Sequence, residues 1–215
     1  MAWRMLLRRC PSRSMTVVGD LAQTGAAGGA DSWAQVLDPL VPGSWRTARL
    51  TVNYRTPKTA MALAAALLPP TVEPPLSVRD GDEPPWWVRG SDPAELAALV
   101  RHEAELVGAG RVAVIAPPSR IAETAAALGV APGPDLDAPI AVLAPAQAKG
   151  LEFDSVVVVD PGGIEQASPR GRADLYVALT RTTGRLGLVI TGDVAPELAA
   201  VLDEPVAVPS RDTAV

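Results

Sequence analysis

Four short apolar runs constrain the fold of this chain more than anything else in its sequence. Residues 111–116, 140–143, 156–159 and 186–190 are rich in Val, Ile, Leu and Ala and carry almost no polar alternation. Continuous runs of this length are what strands buried on both faces look like. Helical stretches fall between them. Asp92-Pro93 opens one that runs through Val107 with Glu95 near its N-terminal end, and two more are expected over residues 119–128 and 172–182. Strands that alternate with helices imply an α/β fold, a mostly parallel, doubly wound sheet with right-handed connections and helices on its faces.

The first half of the chain is less regular. Residues 2–10 suit an amphipathic helix, and residues 14–19 a short buried strand ending in Gly-Asp. Residues 25–29 read as a loop, and Ser32 as the N-cap of a helix that runs to Leu40 before Pro42-Gly43 breaks it. A strand over 48–52 is expected next, then a helix with Pro57 in its first turn that runs to Leu68. Six prolines make 69–85 an irregular connection, residues 86–89 are strand-like, and the tail after Pro205 is expected to fray.

At 215 residues the chain has room for one substantial domain, and 48% hydrophobic residues suffice for a packed core. No apolar run is long enough to span a bilayer, so a soluble, cytoplasmic protein without a membrane partner is expected. Cys10 is the single cysteine, which excludes an internal disulfide and fits a reducing compartment. His102 is the single histidine and lies among charges, with no spacing around it for a zinc site or a catalytic triad, so no metal site is expected. A net charge of −5 argues against a protein whose main work is to grip nucleic acid with a basic face.

The chemistry is carried by four motifs: TVVGDLAQ (16–23), LTVNYRTP (50–57), LAPAQAKGLEFD (143–154) and DLYVALTRTTG (174–184). Gln23, just beyond an apolar run, offers an amide that can bond a phosphate or a water. Tyr54 beside Arg55 joins a stacking face to a planar cationic fork. Gly150 permits a backbone conformation or approach closed to other residues, and Glu152 follows it as an acceptor. Leu175 and Leu179 share one helical face and should pack, which leaves Arg181 near the helix end free to point elsewhere. Phe153 leads straight into the apolar run and reads as core.

In this order the four motifs resemble motifs III to VI of the superfamily 1, UvrD-like helicases, in which ATP lies between two RecA-like lobes. The resemblance covers roughly residues 1–192. It implies a RecA-like second lobe over 50–200, a remnant of the first lobe over 1–49 and a tail over 201–215. It implies ATP as the ligand, with Tyr54 stacked on the adenine, Glu152 bonded to the ribose beside Gly150, Arg55 reaching the γ-phosphate, Gln23 linking the nucleotide to a nucleic-acid channel, and Arg181 acting as an arginine finger. Gln23, Arg55 and Arg181 are the implied catalytic residues. The short spacing over residues 58–142, with GDLAQTGA and AKGLEFDSVVVVDP, looks most similar to the HelD-like branch, which releases bacterial RNA polymerase from nucleic acid.

No G-x-x-x-x-G-K-[ST] loop occurs in the sequence. The acidic pairs Asp82-Glu83 and Asp203-Glu204 precede prolines and end no apolar strand, so Mg²⁺ is expected only through a first lobe supplied elsewhere. Without a phosphate-loop lysine and metal ligands, phosphoryl transfer loses most of its charge stabilisation. The chain alone is therefore expected to be inactive, and the natural protein to extend upstream. A non-catalytic binding module that docks on RNA polymerase or a partner lobe, or a truncated relic, are the alternatives.

Overall fold

The computed structural model describes residues 2–12, 14–25, 29–81 and 83–202. The expectations for Asp82, for Asp203-Glu204, for the tail after Pro205 and for residues 26–28 of the loop lie outside these. The centre is a five-stranded sheet of β3 (Trp86–Arg89), β4 (Val112–Ile115), β5 (Ile140–Leu143), β6 (Phe153–Val159) and β7 (Thr182–Ile190). The strand order is β3-β7-β6-β4-β5, and every pairing is parallel. The α/β expectation holds, and the reason is visible in the side chains. Ile115, Leu143, Val156, Val158 and Leu188 enter one core, while Val114, Val142, Val157, Val159 and Val189 enter the other, so both faces of each central strand are dry.

Helix α4 (Pro93–Val107) and helix α5 (Ile121–Leu128) cover the second face. The start of α4 is fixed locally: Asp92 accepts from the amides of Ala94 and Glu95, and the Glu95 side chain accepts from the Asp92 amide. The first face is covered by α3 (Lys58–Ala65), α6 (Pro145–Ala148), α7 (Pro161–Gln166), α8 (Gly171–Leu179) and α9 (Pro196–Leu202). A separate parallel pair, β1 (Val52–Asn53) and β2 (Leu76–Ser77), precedes the main sheet. Helices α1 (Ala2–Arg9) and α2 (Trp33–Leu37) lie in the N-terminal part. Ser32 caps α2 as expected, accepting from the Gln35 amide.

Several elements differ from the sequence reading. Residues 14–19 form no strand, and Val17 and Val18 are 42% and 86% exposed. An apolar run becomes a strand only when a neighbouring strand pairs with it and its faces are covered, and none of the described residues pairs with this run. The strand expected at 48–52 shrinks to two residues, and the helix after Pro57 ends at Ala65. The helix expected to reach residue 182 stops at Leu179, because Thr182 already pairs with Phe153 at the head of β7. β6 begins at Phe153, three residues earlier than expected.

Gly187 illustrates how tightly the sheet is packed. A Cβ there would fall inside the indole of Trp86, a residue 4% exposed and pinned through its Nε1 to Glu103 at 2.8 Å. The ring has nowhere to go. Gly187→Ala is expected to lose about 1–3 kcal/mol of stability, as overpacking does, measured by urea denaturation. An unchanged midpoint would mean that the indole can move.

Candidate functional site

Five of the six implied residues converge at the N-terminal ends of β6 and β7. Arg181 stands immediately before β7, and Gly150 and Glu152 lie just before β6. The amide of Phe153 donates to the carbonyl of Arg181 at 3.0 Å, which holds the two strand heads together. Gly150 has φ +84°, a conformation that favours glycine, and the space where a Cβ would stand is open. The glycine is thus required by backbone shape and not by crowding.

The turn after β1 brings in the next pair. Asn53 Oδ1 accepts from the amides of Arg55 and Thr56 at 3.0 and 3.2 Å, which sets the turn. Thr56 is buried; its hydroxyl donates to the carbonyl of Thr180 at 3.4 Å, and its own carbonyl accepts from Ser77. The loop bearing Tyr54 and Arg55 is thereby tied to the residue preceding Arg181. Arg55 Nε lies 2.5 Å from Glu152 Oε1, with both side chains more than two-fifths exposed. The Arg55 guanidinium also stands 6.0 Å from the centroid of the Tyr54 ring. Tyr54 is 72% exposed, so its other face is open to a planar ligand.

Arg181 is unlike Arg55. It is 6% exposed. Its Nε donates to the Val177 carbonyl at 3.1 Å, Nη1 to the Leu151 carbonyl at 3.5 Å, and Nη2 to Thr180 Oγ1 at 3.1 Å and Gln23 Oε1 at 3.3 Å. All four acceptors are neutral, and among the described residues no carboxylate lies within ion-pair distance of it. Burial, and then the like charge of Arg55, draw its pKa below the ordinary guanidinium range, against the opposing pull of Glu152. The site therefore holds a buried, fixed cation whose direct hydrogen-bond partners among the described residues are all neutral.

Gln23 reaches this cluster from the far end of the sequence. It closes a 3₁₀ turn, Leu21–Gln23, whose N-cap Asp20 accepts from the Ala22 amide at 2.9 Å. Lys149 Nζ donates to the Gln23 carbonyl at 2.8 Å, and Arg170 binds Asp31 at 2.7 Å. These contacts lay the N-terminal segment along α6 and α8. Tyr176, inside the last motif, is pushed up to about 12 by burial and by the nearby Asp20 charge. A cavity of about 740 Å³ opens beside the cluster, lined by Trp3, Asp20, Gln23, Trp33 and Lys149.

The sequence reading did not single out Asp20, Asn53, Thr56 or Lys149 for the site. Thr56 and Lys149 act through partners more than a hundred residues away. Asn53 had a local signal, the turn-forming position ahead of Tyr54. Its Nδ2 is buried and without a partner among the described residues.

The fold is a mostly parallel five-stranded α/β sheet flanked by helices. Comparisons with known proteins agree at that level. Residues 140–189, from β5 almost to the end of β7, match the sequence model of the UvrD-like helicase C-terminal domain. The chain also superposes on the crystal structure of the C-terminal domain of a possible DNA helicase from Lactobacillus plantarum WCFS1, with a TM-score of 0.52 and 24% identity over 69% of this chain and 94% of that one. At that identity the likeness is one of fold. No curated protein sequence matches the chain. Among the described residues no helix is long and apolar enough to cross a membrane.

Proposed function

We propose that this chain is the ATP-sensing second lobe of a UvrD-like, nucleic-acid-dependent ATPase of the HelD type, which completes an ATP site whose phosphate loop and Mg²⁺ ligands belong to another lobe. The observation that carries this reading is Arg181: a buried cation with neutral partners only, beside the half-exposed pair Arg55–Glu152 and the open ring of Tyr54. Such a set suits a nucleoside triphosphate, with an aromatic face for the base, a carboxylate for sugar hydroxyls and two guanidinium groups for phosphate. A site at the N-terminal ends of β6 and β7 is the end opposite to the one where open α/β sheets hold their own ligands. It suits a surface that closes over a ligand presented by a second lobe.

The test is a calorimetric titration of the chain with ATP and with ADP. ATP is expected to bind measurably better than ADP, because the arginines recognise the terminal phosphate. Equal binding of the two would sink the reading. Tyr54→Ala is expected to weaken ATP about 5- to 100-fold, the loss of one stacked base. Purified chain is expected to turn over ATP negligibly, and robust metal-dependent hydrolysis by it would contradict the proposal. RNA polymerase as the target is part of the same proposal and rests on the GDLAQTGA and AKGLEFDSVVVVDP segments.

A second reading is favoured by one surface. Leu50, Val52, Leu76 and Val78 are 85%, 52%, 67% and 50% exposed around the β1–β2 pair, and Met5 and Leu6 are exposed on α1. A non-catalytic module that docks on RNA polymerase or a partner lobe would use such a face. It predicts a stoichiometric partner in a pull-down and indifference to ATP.

A further inference from the structure

We propose that Asp20 and Lys149 are positioning residues that fix the orientation of the Gln23 amide toward Arg181. The inference rests on the nucleotide reading for its function and on the contacts for its geometry. Gln23 Nε2 donates to Asp20 Oδ2 at 2.9 Å, and Gln23 Oε1 accepts from Arg181 Nη2 at 3.3 Å. A carboxylate only accepts and a guanidinium only donates. A carboxamide is suited to bridge them because it offers a donor at one end and an acceptor at the other. Exchanging those ends would set acceptor against acceptor at Asp20 and donor against donor at Arg181. Asp20 therefore selects one of the two amide orientations.

The backbone is fixed independently. Asp20 Oδ1 caps the 3₁₀ turn through the Ala22 amide, and the Thr24 amide closes it on the Leu21 carbonyl at 3.1 Å. Lys149 Nζ holds the Gln23 carbonyl at 2.8 Å. Lys149 and Glu152 flank Gly150 and Leu151, so the short stretch before β6 holds Gln23 with one residue and Arg55 with the other. With one Nε2 hydrogen engaged by Asp20, the second remains for an anionic oxygen of a ligand. Without Asp20 the amide is free to turn, and Arg181 loses one of its four acceptors. Without Lys149 the turn that carries Gln23 loses its charged tether.

The experiment is solution NMR on the full ¹⁵N-labelled chain. It observes the Gln23 side-chain NH₂ pair and the Arg181 guanidinium signals, with the Val156–Val159 amides as the control for folding. Asp20→Asn and Lys149→Met are compared with wild type, and Lys149→Arg serves as the conservative rescue. In Asp20→Asn the Gln23 NH₂ hydrogens are expected to exchange with water roughly three- to tenfold faster, as befits one lost charge-assisted bond on a partly exposed residue, and the Arg181 signals to move. Lys149→Met should shift the Gln23 backbone signals, and Lys149→Arg should return them. Gln23 and Arg181 signals identical to wild type in Asp20→Asn would overturn the proposal.

Titrating ATP into the same samples separates the two ideas. Shifts at Tyr54 and Arg55 with an unmoved Gln23 in Asp20→Asn would leave the nucleotide site standing and remove the positioning role. A displaced Gln23 amide in Asp20→Asn, with no response to ATP at any of these residues, would support the positioning geometry and remove the nucleotide reading.

Discussion

Replacing Glu103 by alanine is expected to lower stability by about 3–5 kcal/mol, the effect of breaking a buried ion pair by removing one partner. That is a large part of the 5–15 kcal/mol that holds most domains folded. Glu103 lies on α4 with 1% exposure, and every lone-pair direction is used. Trp86 Nε1 donates to Oε1 at 2.8 Å, Ser155 Oγ to Oε2 at 2.7 Å, and Arg185 binds both oxygens at 2.9 and 3.1 Å. The network joins α4 to β3, β6 and β7, so it registers the helix against three strands. Alanine would strand an indole donor, a buried hydroxyl and a guanidinium left with Glu83 alone, 2.5 Å away at the surface. Thermal unfolding should show a drop of about 6–20 °C for a chain of this size.

The same group sets a pH dependence. Burial alone would raise the Glu103 pKa, but the hydrogen bonds and charge of Arg185, with Ser155 and Trp86, outweigh it and hold the carboxyl below its ordinary range. A depressed folded-state value means that the stabilisation is fully present above the unfolded value, about pH 4.3 for glutamate. It is lost as pH falls through the lower folded value. Glu103→Gln should flatten this part of the acid limb. A double replacement of Glu103 by Leu and Arg185 by Met should recover most of the stability lost in Glu103→Ala, since well-packed apolar residues often match a buried pair. A stability of Glu103→Ala equal to wild type would mean that the network is decorative.

What the sequence made legible, and what it hid, follows from the range of the interactions. Helix α4 could be read almost to the residue because Asp92, Pro93 and Glu95 settle its start within one turn. Strands β4 to β7 could be read because burial on both faces leaves a continuous apolar signature. Residues 14–19 carry that signature without the surroundings, and the run stays exposed. Helix α7 was missed because Pro161-Gly162-Gly163 reads as a breaker. It forms because Asp160, itself at φ 51°, accepts from the Gly163 amide and caps it. Gln23, Tyr54, Arg55, Gly150, Glu152 and Arg181 are expected together from the resemblance, and the structure brings them near one another. Asp20 and Lys149 are not among those expected, since what marks them is contact with Gln23, and for Lys149 that contact spans 126 positions.

In the complete ATPase that this lobe is proposed to serve, Arg181→Ala is expected to reduce turnover about 10³- to 10⁵-fold, the range of arginine fingers. The structure gives a physical reason for the upper part of that range. A guanidinium held by Val177, Leu151, Thr180 and Gln23 is already oriented before charge develops on the transferred group. Its acceptors are neutral, so an incoming anion does not have to displace a carboxylate. Arg55 differs on this point, because its pairing with Glu152 must loosen first, and Arg55→Ala should cost less in turnover than Arg181→Ala. Arg181→Lys should recover little, since an ammonium keeps the charge and loses the planar fork. The fold serves as the control. Removing a buried cation also removes its desolvation cost, so thermal unfolding of Arg181→Ala should stay much closer to wild type than that of Glu103→Ala. Near-normal turnover in a folded Arg181→Ala enzyme would take Arg181 out of the chemistry and the ATP reading with it.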